Sequence, residues 1–464
     1  MFPDKSFFDQ LNTLFNPESV AIVGLPREMK TGKLFLISLL DLDFKGTIYP
    51  VNPKTHEIDG LRTYPSVSAI PGKVDLAILL IPASHTKAVL MECAQKKVKG
   101  VVLFTAGYKE TGSIEGAALE KELLAIARTS GMRLIGPNAM GLYNPKSGIS
   151  FFPGLSKTSG SASLISHSGS LANLVCREGP NRGIFFNKAV SVGNECDLSS
   201  ADFLDFFAND PEIGFIGSYI EGIKDKSGFF LSLKRASLKK PVIIWKMGLT
   251  SFGAKAANSH TGALSGDPII WKGIVSQTGA ISVFGFEQWL DAFMGFSLYP
   301  QNIGKRVAII SGPGAFGVSA SEACGYEGLT LAELSSSTRE TLKKIIPETG
   351  TSVSNPIDVG LTASLDIRFY REALQAALQD ENVDAAFIIG IGLSEELNEE
   401  YVRSIITLYH EFKKPISVIS MPGFEKKHEQ ELCRKGVPVF SSGERAMKTY
   451  AMVYSYWLWR RGKR

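Results

Sequence analysis

Short apolar runs, each ended by Gly, Pro or Asn, alternate along the chain with longer amphipathic stretches. The first such runs are 19–24 (SVAIVG), 47–52, 76–82, 100–107 (GVVLFTAG) and 133–136, with helical patterns at 84–97 and 115–130 between them. Buried apolar strands separated by helices predict a parallel, doubly wound sheet. The pattern restarts after Pro145, with strands predicted at 163–166, 187–193, 213–221, 241–248 and 281–285. It restarts again near Lys305, with strands at 305–310, 329–334, 385–391, 415–420 and 437–440. The breaks fall in turn-forming stretches around Asn144-Pro145 and Tyr299-Pro300. The predicted class is α/β, with three doubly wound domains at 1–150, 151–302 and 303–464.

Composition narrows the function. A length of 464 residues agrees with about three domains. A net charge of +4, spread along the chain, gives no footprint for nucleic acid. Five cysteines stand far apart without a CxxC pair, which argues against a disulfide framework or a zinc site and for a reducing, cytoplasmic setting. No apolar run is long enough to span a bilayer, and the N-terminus lacks a signal-peptide h-region. No membrane association and no bound metal are expected.

Ligands of doubly wound domains sit at the carboxyl ends of the strands. In the first domain those ends carry Gly24, Arg27, Val51, Asn52, Lys54, Pro82, Thr105, Ala106 and Asn138, with Lys30 and Lys33 on the same rim. Glycines permit close backbone approach, and cations with helix N-termini hold phosphates. Together the loops suit a nucleotide-like ligand, although each alone is equally a tight turn.

In the second domain, Ser166-His167-Ser168-Gly169-Ser170 lies between a strand and a helix. Such a turn makes a phosphate site or, more simply, a helix N-cap. His260 stands among small polar residues at 257–267, the pattern of a loop and not of an apolar core. A neutral imidazole there can attack phosphorus, or it is a surface histidine. Glu221 ends a strand and either orients that imidazole or is solvated. In the third domain, Gly312-Pro313-Gly314-Ala315-Phe316-Gly317 fits GxGxxG after a strand, with Glu333 closing the next one. That is a dinucleotide fingerprint or a phosphate loop. Asn355, Asp358 and Gly390 mark further loops beside it.

These segments, taken in order, resemble the NDP-forming acyl-CoA synthetases, the superfamily of succinyl-CoA synthetase, and within it the ADP-forming acetate–CoA ligase type. The resemblance runs through FKGTIYPVNPK (44–54), VDLAILLIP (74–82), GPN (136–138), SHSGSL (166–171), GNECDLSSADFLDF (193–206), YIEGIKD (219–225), SHTGALSG (259–266), SGPGAFG (311–317) and NPIDVG (355–360). His167 departs from it, since Gln is commoner there.

The resemblance implies an N-terminal Rossmann-like CoA-binding domain followed by two flavodoxin-like, succinyl-CoA synthetase-like domains. It implies that acid, ATP and CoA are interconverted with acyl-CoA, ADP and phosphate through an acyl phosphate and a phosphohistidine. By that resemblance His260 is the phosphorylated residue and Glu221 steadies it. Ser166, Ser168, Gly169, Gly312 and Gly314 bind phosphate, and the first-domain rim binds CoA. Asn173, Asn355, Asp358 and Gly390 shape the acyl site. Three doubly wound domains leave no room for an ATP-grasp domain, so a separate ATP-grasp β subunit is expected in an α2β2-like assembly. ATP, ADP and Mg2+ are expected mainly on that partner. Two other readings stay open: a catalytically silent CoA-binding regulatory protein of the same fold, and an NAD-dependent dehydrogenase using the GPGAFG loop.

Overall fold

The structure, a computed structural model, describes residues 5–261 and 266–463, the side chains of 258–261 excepted. In chain order, helix α1 (Lys5–Phe15) precedes β1 (Ser19–Val23), α2 (Lys33–Asp41), β2 (Thr47–Val51) and a small hairpin, β3 (Glu57–Ile58) and β4 (Leu61–Arg62). Then come β5 (Leu76–Leu79), α3 (Ala83–Gln95), β6 (Gly100–Leu103), α4 (Ile114–Ser130), β7 (Arg133–Ile135) and β8 (Gly141–Tyr143). The second stretch holds β9 (Ala162–Ser166), α5 (Gly169–Glu178), β10 (Phe186–Ser191), α6 (Ser200–Asn209), β11 (Phe215–Ile220), α7 (Lys226–Lys239), β12 (Val242–Lys246), α8 (Ser251–Thr261), α9 (Pro268–Thr278) and β13 (Ile281–Val283). The third holds α10 (Phe286–Leu298), β14 (Arg306–Ser311), α11 (Gly314–Tyr326), β15 (Thr330–Leu331), α12 (Ser336–Ile345), β16 (Ile357–Asp358), α13 (Arg368–Gln379), β17 (Ala385–Ile389), α14 (Glu395–Glu411), β18 (Ile416–Ile419), α15 (Lys426–Arg434), β19 (Val439–Phe440) and α16 (Gly443–Arg461).

Among the described residues the first sheet runs β2-β1-β5-β6-β7, all parallel. Its strand order reverses between β1 and β5, which opens a crevice at the carboxyl ends. The second sheet runs β13-β12-β11-β9-β10-β8, parallel except for the antiparallel edge strand β8. The third runs β15-β14-β17-β18-β19, with β16 added beside β14. Central strands such as β1, β9 and β17 are buried along their whole length, which explains their unbroken apolar runs.

By its internal contacts the described chain groups into two compact units, the first of which holds two of the three sheets. One runs through Glu178 and continues over Phe185–Phe284; the other takes Gly179–Ile184 and the chain from Gly285 on. Two contacts cross the expected limits at 150 and 303. Strand β8 lies before residue 150 yet pairs with β10 of the second sheet. Helix α10 lies before residue 303 yet packs on α16, where Asp291 takes two bonds of 2.7 Å from Arg445. A Cβ on Gly295 would stand 2.7 Å from Thr449, so that contact requires glycine.

The first two sheets join through the loop after β10. Asp197 accepts both guanidinium bonds of Arg133, at 2.8 and 3.1 Å, and the Leu134 N–H at 2.9 Å. Backbone bonds run from Asn194 to Pro137 (2.8 Å), Cys196 to Gly136 (2.9 Å) and Leu198 to Leu134 (3.2 Å). Gly193 has φ +54°, and a Cβ there would meet the Pro137 carbonyl at 2.2 Å. Helix α1 seals the far end: Phe15 stacks on Phe206 at 5.7 Å and leans on Phe203 and Phe207.

Asp197→Ala strands a mostly buried guanidinium and an uncapped N–H. It is expected to destabilise the N-terminal unit by about 3 kcal/mol, seen as a lower urea midpoint in the fluorescence of Trp245 and Trp271.

Candidate active site

In the N-terminal unit the predicted residues lie at the carboxyl ends of the strands of both sheets or in the segments that follow them. Strand β9 ends at Ser166, whose hydroxyl donates to the Ser168 carbonyl (2.7 Å) and accepts the Ser168 N–H (3.2 Å). Ser168 Oγ then accepts the Leu171 N–H at 3.3 Å and lies 3.2 Å from Ser170 Oγ. The serines therefore build the turn and cap α5. Gly169 is required by close approach, because a Cβ would fall 2.1 Å from Met140. One turn along, Asn173 Oδ1 is buried without a hydrogen-bond partner among the described residues.

Behind this turn lies a chain of buried polar groups. The Glu221 N–H donates to His167 Nδ1 at 3.3 Å. Accepting there leaves the ring hydrogen on Nε2, which stands 3.2 Å from both Ser200 Oγ and Glu195 Oε1. Glu195 Oε1 also accepts the Ser200 N–H (2.6 Å) and O–H (2.5 Å). Burial raises the Glu195 pKa, but His167 and the two Ser200 bonds outweigh it and hold the carboxyl below its ordinary value. Next to it, Asn194 Nδ2 reaches Glu110 and, at 3.2 Å, Glu120. Glu110 closes the loop after β6 by accepting the Gly107 and Tyr108 N–H groups at 2.6 and 3.1 Å. That loop carries Thr105, bonded to the Ile81 carbonyl at 2.8 Å, and the exposed Ala106.

The ends of β11 and β12 complete the floor. Glu221 is 5 % exposed. Burial, with the Glu221 carboxylate beside it, pushes the Tyr219 phenol up. At Gly248, φ +75°, a Cβ would have the Ala257 methyl and the Glu221 carbonyl each at 3.8 Å. Helix α8 thus passes close over the strand end that bears Glu221, and it also nears the 3-10 turn Lys109–Thr111.

Position 260 belongs to the last turn of this helix, which corrects the loop expected there; the His260 side chain lies outside the described residues. The helix is carried by alanines, Ala254 and Ala256 ahead of the stretch that suggested a loop and Ala257 at its start, which favour helix. The start is capped by Thr250 Oγ1 accepting the Gly253 N–H at 3.0 Å.

On the expected CoA rim, Gly24 has φ +82° and bonds Val51 at 2.9 Å. Asn52 is used by the loops themselves, donating to Leu25 and accepting from Lys54 N–H at 2.8 Å. Lys33 departs from expectation. Its ammonium is buried against Asp59 (2.7 Å) and the Arg27 carbonyl (3.2 Å), strapping the first loop to the hairpin. Arg27 and Lys54 are exposed on the rim, Pro82 precedes α3, and Asn138 takes φ +57°.

In the C-terminal unit, Gly312 and Gly390 flank the Tyr370 ring; a Cβ would fall 1.9 Å from its oxygen or 2.5 Å from its carbons. Space for that ring accounts for both glycines. At Gly314, the first residue of α11, the Asp358 carboxylate lies 2.6 Å from where a Cβ would stand. A carboxylate already at that helix N-terminus repels the pyrophosphate a dinucleotide would bring there. Asn355 holds three backbone groups, those of Val307, Ile309 and Ala332, and so ties strands together.

A polar cavity of about 570 Å³ opens on the α6–α7 side of Glu195, lined among others by Ser200, Lys224, Asp225 and Arg235. None of the predicted site residues lines it.

Comparison with known proteins gives the family. A CoA binding domain model matches residues 18–145, a succinyl-CoA ligase like flavodoxin domain model 159–296, and a ligase-CoA domain model 307–394. Fold and site define a CoA-binding, succinyl-CoA ligase-like protein. The chain is 36% identical over 449 residues to the acetate–CoA ligase [ADP-forming] II subunit alpha of Pyrococcus furiosus, with 96% of this chain and 97% of that one covered. It is 35% identical to an acetate–CoA ligase [ADP-forming] of Methanocaldococcus jannaschii, with 96% of this chain covered but only 63% of the relative. The structure superimposes on the dinucleotide-forming acetyl-coenzyme A synthetase 1 of Candidatus Korarchaeum cryptofilum, solved with phosphate and ADP, with a TM-score of 0.86, 31% identity and 97% of each chain covered. The chain belongs to the family of ADP-forming acetate–CoA ligase alpha subunits. It is a ligase-type chain with a CoA-binding domain.

Glu195→Gln removes the charge from the buried triad and is expected to cost about 1–3 kcal/mol at neutral pH. Because the folded-state pKa lies below the unfolded one, this stabilisation is complete above about pH 4.3 and is lost as pH falls through the folded value. Thermal unfolding of wild type and variant should therefore differ at pH 7 and converge in acid.

Proposed function

We propose that this chain is the α subunit of an ADP-forming acyl-CoA synthetase in which His260 carries a phosphoryl group between an acyl phosphate and a nucleotide. In the acyl-CoA to ATP direction, a phosphate oxygen attacks the thioester carbonyl and the CoA thiolate leaves. An imidazole nitrogen of His260 then attacks phosphorus and the carboxylate leaves. A β-phosphate oxygen of ADP finally takes the phosphoryl group and frees the imidazole. Glu221 orients the imidazole, and the first-domain rim with Arg27 and Lys54 receives CoA.

The observation that carries this reading is the passage of α8, which bears position 260, across the end of β11, which Glu221 directly follows. The contact of α8 with the turn at Lys109–Thr111 supports it further, because that turn follows the Thr105–Ala106 edge of the proposed CoA site.

The nucleotide and its Mg2+ belong, in this reading, to a separate ATP-grasp β subunit in an α2β2-like complex. Relatives named as alpha subunits imply such a partner. Among the described residues no group of three or more His, Cys, Asp or Glu is placed to hold a metal ion. Nor is any helix of the described residues long and apolar enough to cross a membrane. Five unpaired thiols suit the cytoplasm.

With the partner and γ-labelled ATP, the chain should acquire an acid-labile, base-stable phosphoryl label that is absent in His260→Ala. Glu221→Gln should slow its formation about 10- to 100-fold. The purified chain alone should show negligible ATP-dependent CoA ligation; robust activity without a partner would refute the subunit assignment.

A further inference from the structure

Lys246 is the last residue of β12 and only 8 % exposed. Its ammonium donates to the Glu221 carbonyl at 2.9 Å and to the Met247 carbonyl. Those carbonyls terminate two neighbouring strands. The same nitrogen lies 3.8 Å from where a Cβ on Gly266 would stand, and the Gly266 N–H is bonded to the Gly248 carbonyl at 3.2 Å.

We propose that Lys246 is a positioning residue for phosphoryl transfer: its ammonium ties the ends of β11 and β12 together and so holds Glu221 in register with helix α8. The proposal rests on the reading of His260 as the phosphorylated residue.

The chemistry explains why a lysine stands here. Two carbonyls directed at one point need a donor with several hydrogens, which an ammonium supplies. An apolar side chain would leave both oxygens buried and unsatisfied. A structural strap alone could be neutral, yet this group carries a charge at a cost. Burial lowers its pKa to about 8, while Glu221 pulls the other way. A charge kept under those conditions acts on an anion, and the Glu221 carboxylate is the anion beside it.

The charged group recorded beside Lys246 is Glu221, the residue that follows β11. Because the folded-state pKa is depressed, the ammonium is present below about pH 8 and lost above it.

The test measures the rate of His260 labelling in the reconstituted complex across pH, with wild type, Lys246→Met and Lys246→Arg. Lys246→Met should label about 10- to 100-fold more slowly at pH 7. Wild-type labelling should decline above about pH 8. Lys246→Arg should retain activity and flatten that decline, because a guanidinium stays protonated. A purely structural strap would lower the thermal midpoint of Lys246→Met without altering the pH profile in Lys246→Arg. Wild-type labelling rates in Lys246→Met, or an unchanged alkaline decline in Lys246→Arg, would overturn the proposal. Label persisting in His260→Ala would instead overturn the phosphohistidine reading on which it stands.

Discussion

The carboxylate of Glu195 holds the N-terminal unit's polar centre together. It binds the first N–H and the hydroxyl of α6 through Ser200, and it faces His167. His167 in turn accepts the Glu221 N–H, so one buried anion fixes the end of a strand two positions away in the sheet. Its own backbone is part of the loop that docks the second sheet on the first, and its carbonyl takes Lys224 at 3.1 Å. Such an anion is costly to bury and is tolerated because every bond around it favours the charged form. The constraint runs from the joint between two sheets to the residue that would steer phosphoryl transfer.

Much of the fold is legible in the amino-acid order because parallel strands are buried on both faces. Runs such as SVAIVG and GVVLFTAG have few other uses in a soluble chain. The edge strand β8 and the hairpin β3–β4 escape notice because they are short, polar or glycine-rich, and owe their existence to pairing partners far away in sequence. Helix α8 escapes for the opposite reason. Its Ser, Asn, Thr and Gly residues suggest a loop, but a cap at Thr250 and a run of alanines let it form against Gly248.

The site was legible where backbone geometry is the signal. SHSGS and Gly24 do form turns at strand ends. It was not legible where a side chain's partner decides its role. Lys33 has the same local setting as Lys54, yet Asp59 takes it into the interior while Lys54 stays exposed. Gly312 reads as a phosphate-loop glycine and Gly390 as part of the acyl site, but the ring both pack against, that of Tyr370, comes from a distant helix and is not signalled locally. His167, Glu195 and Lys246 are the converse case. His167 and Glu195 lie within quoted motifs and Lys246 lies in none, but in each case only burial with facing partners shows what the side chain does.

Lys224 and Lys246, which follow or end neighbouring strands, differ in burial. Lys224 lies about half exposed, 3.6 Å from Glu120, where water screens it. Lys246 is sealed beneath the strand ends, where an unbalanced charge would not persist without an anion close by. Under the proposed phosphoryl transfer, a phosphoryl group at α8 would add negative charge to a place that already holds Glu221. A buried ammonium between the strand ends lets both anions share that space, whereas a solvent-screened one would not. On the proposed mechanism, a residue that is charged when phosphate arrives would keep the electrostatic control of the step within this chain.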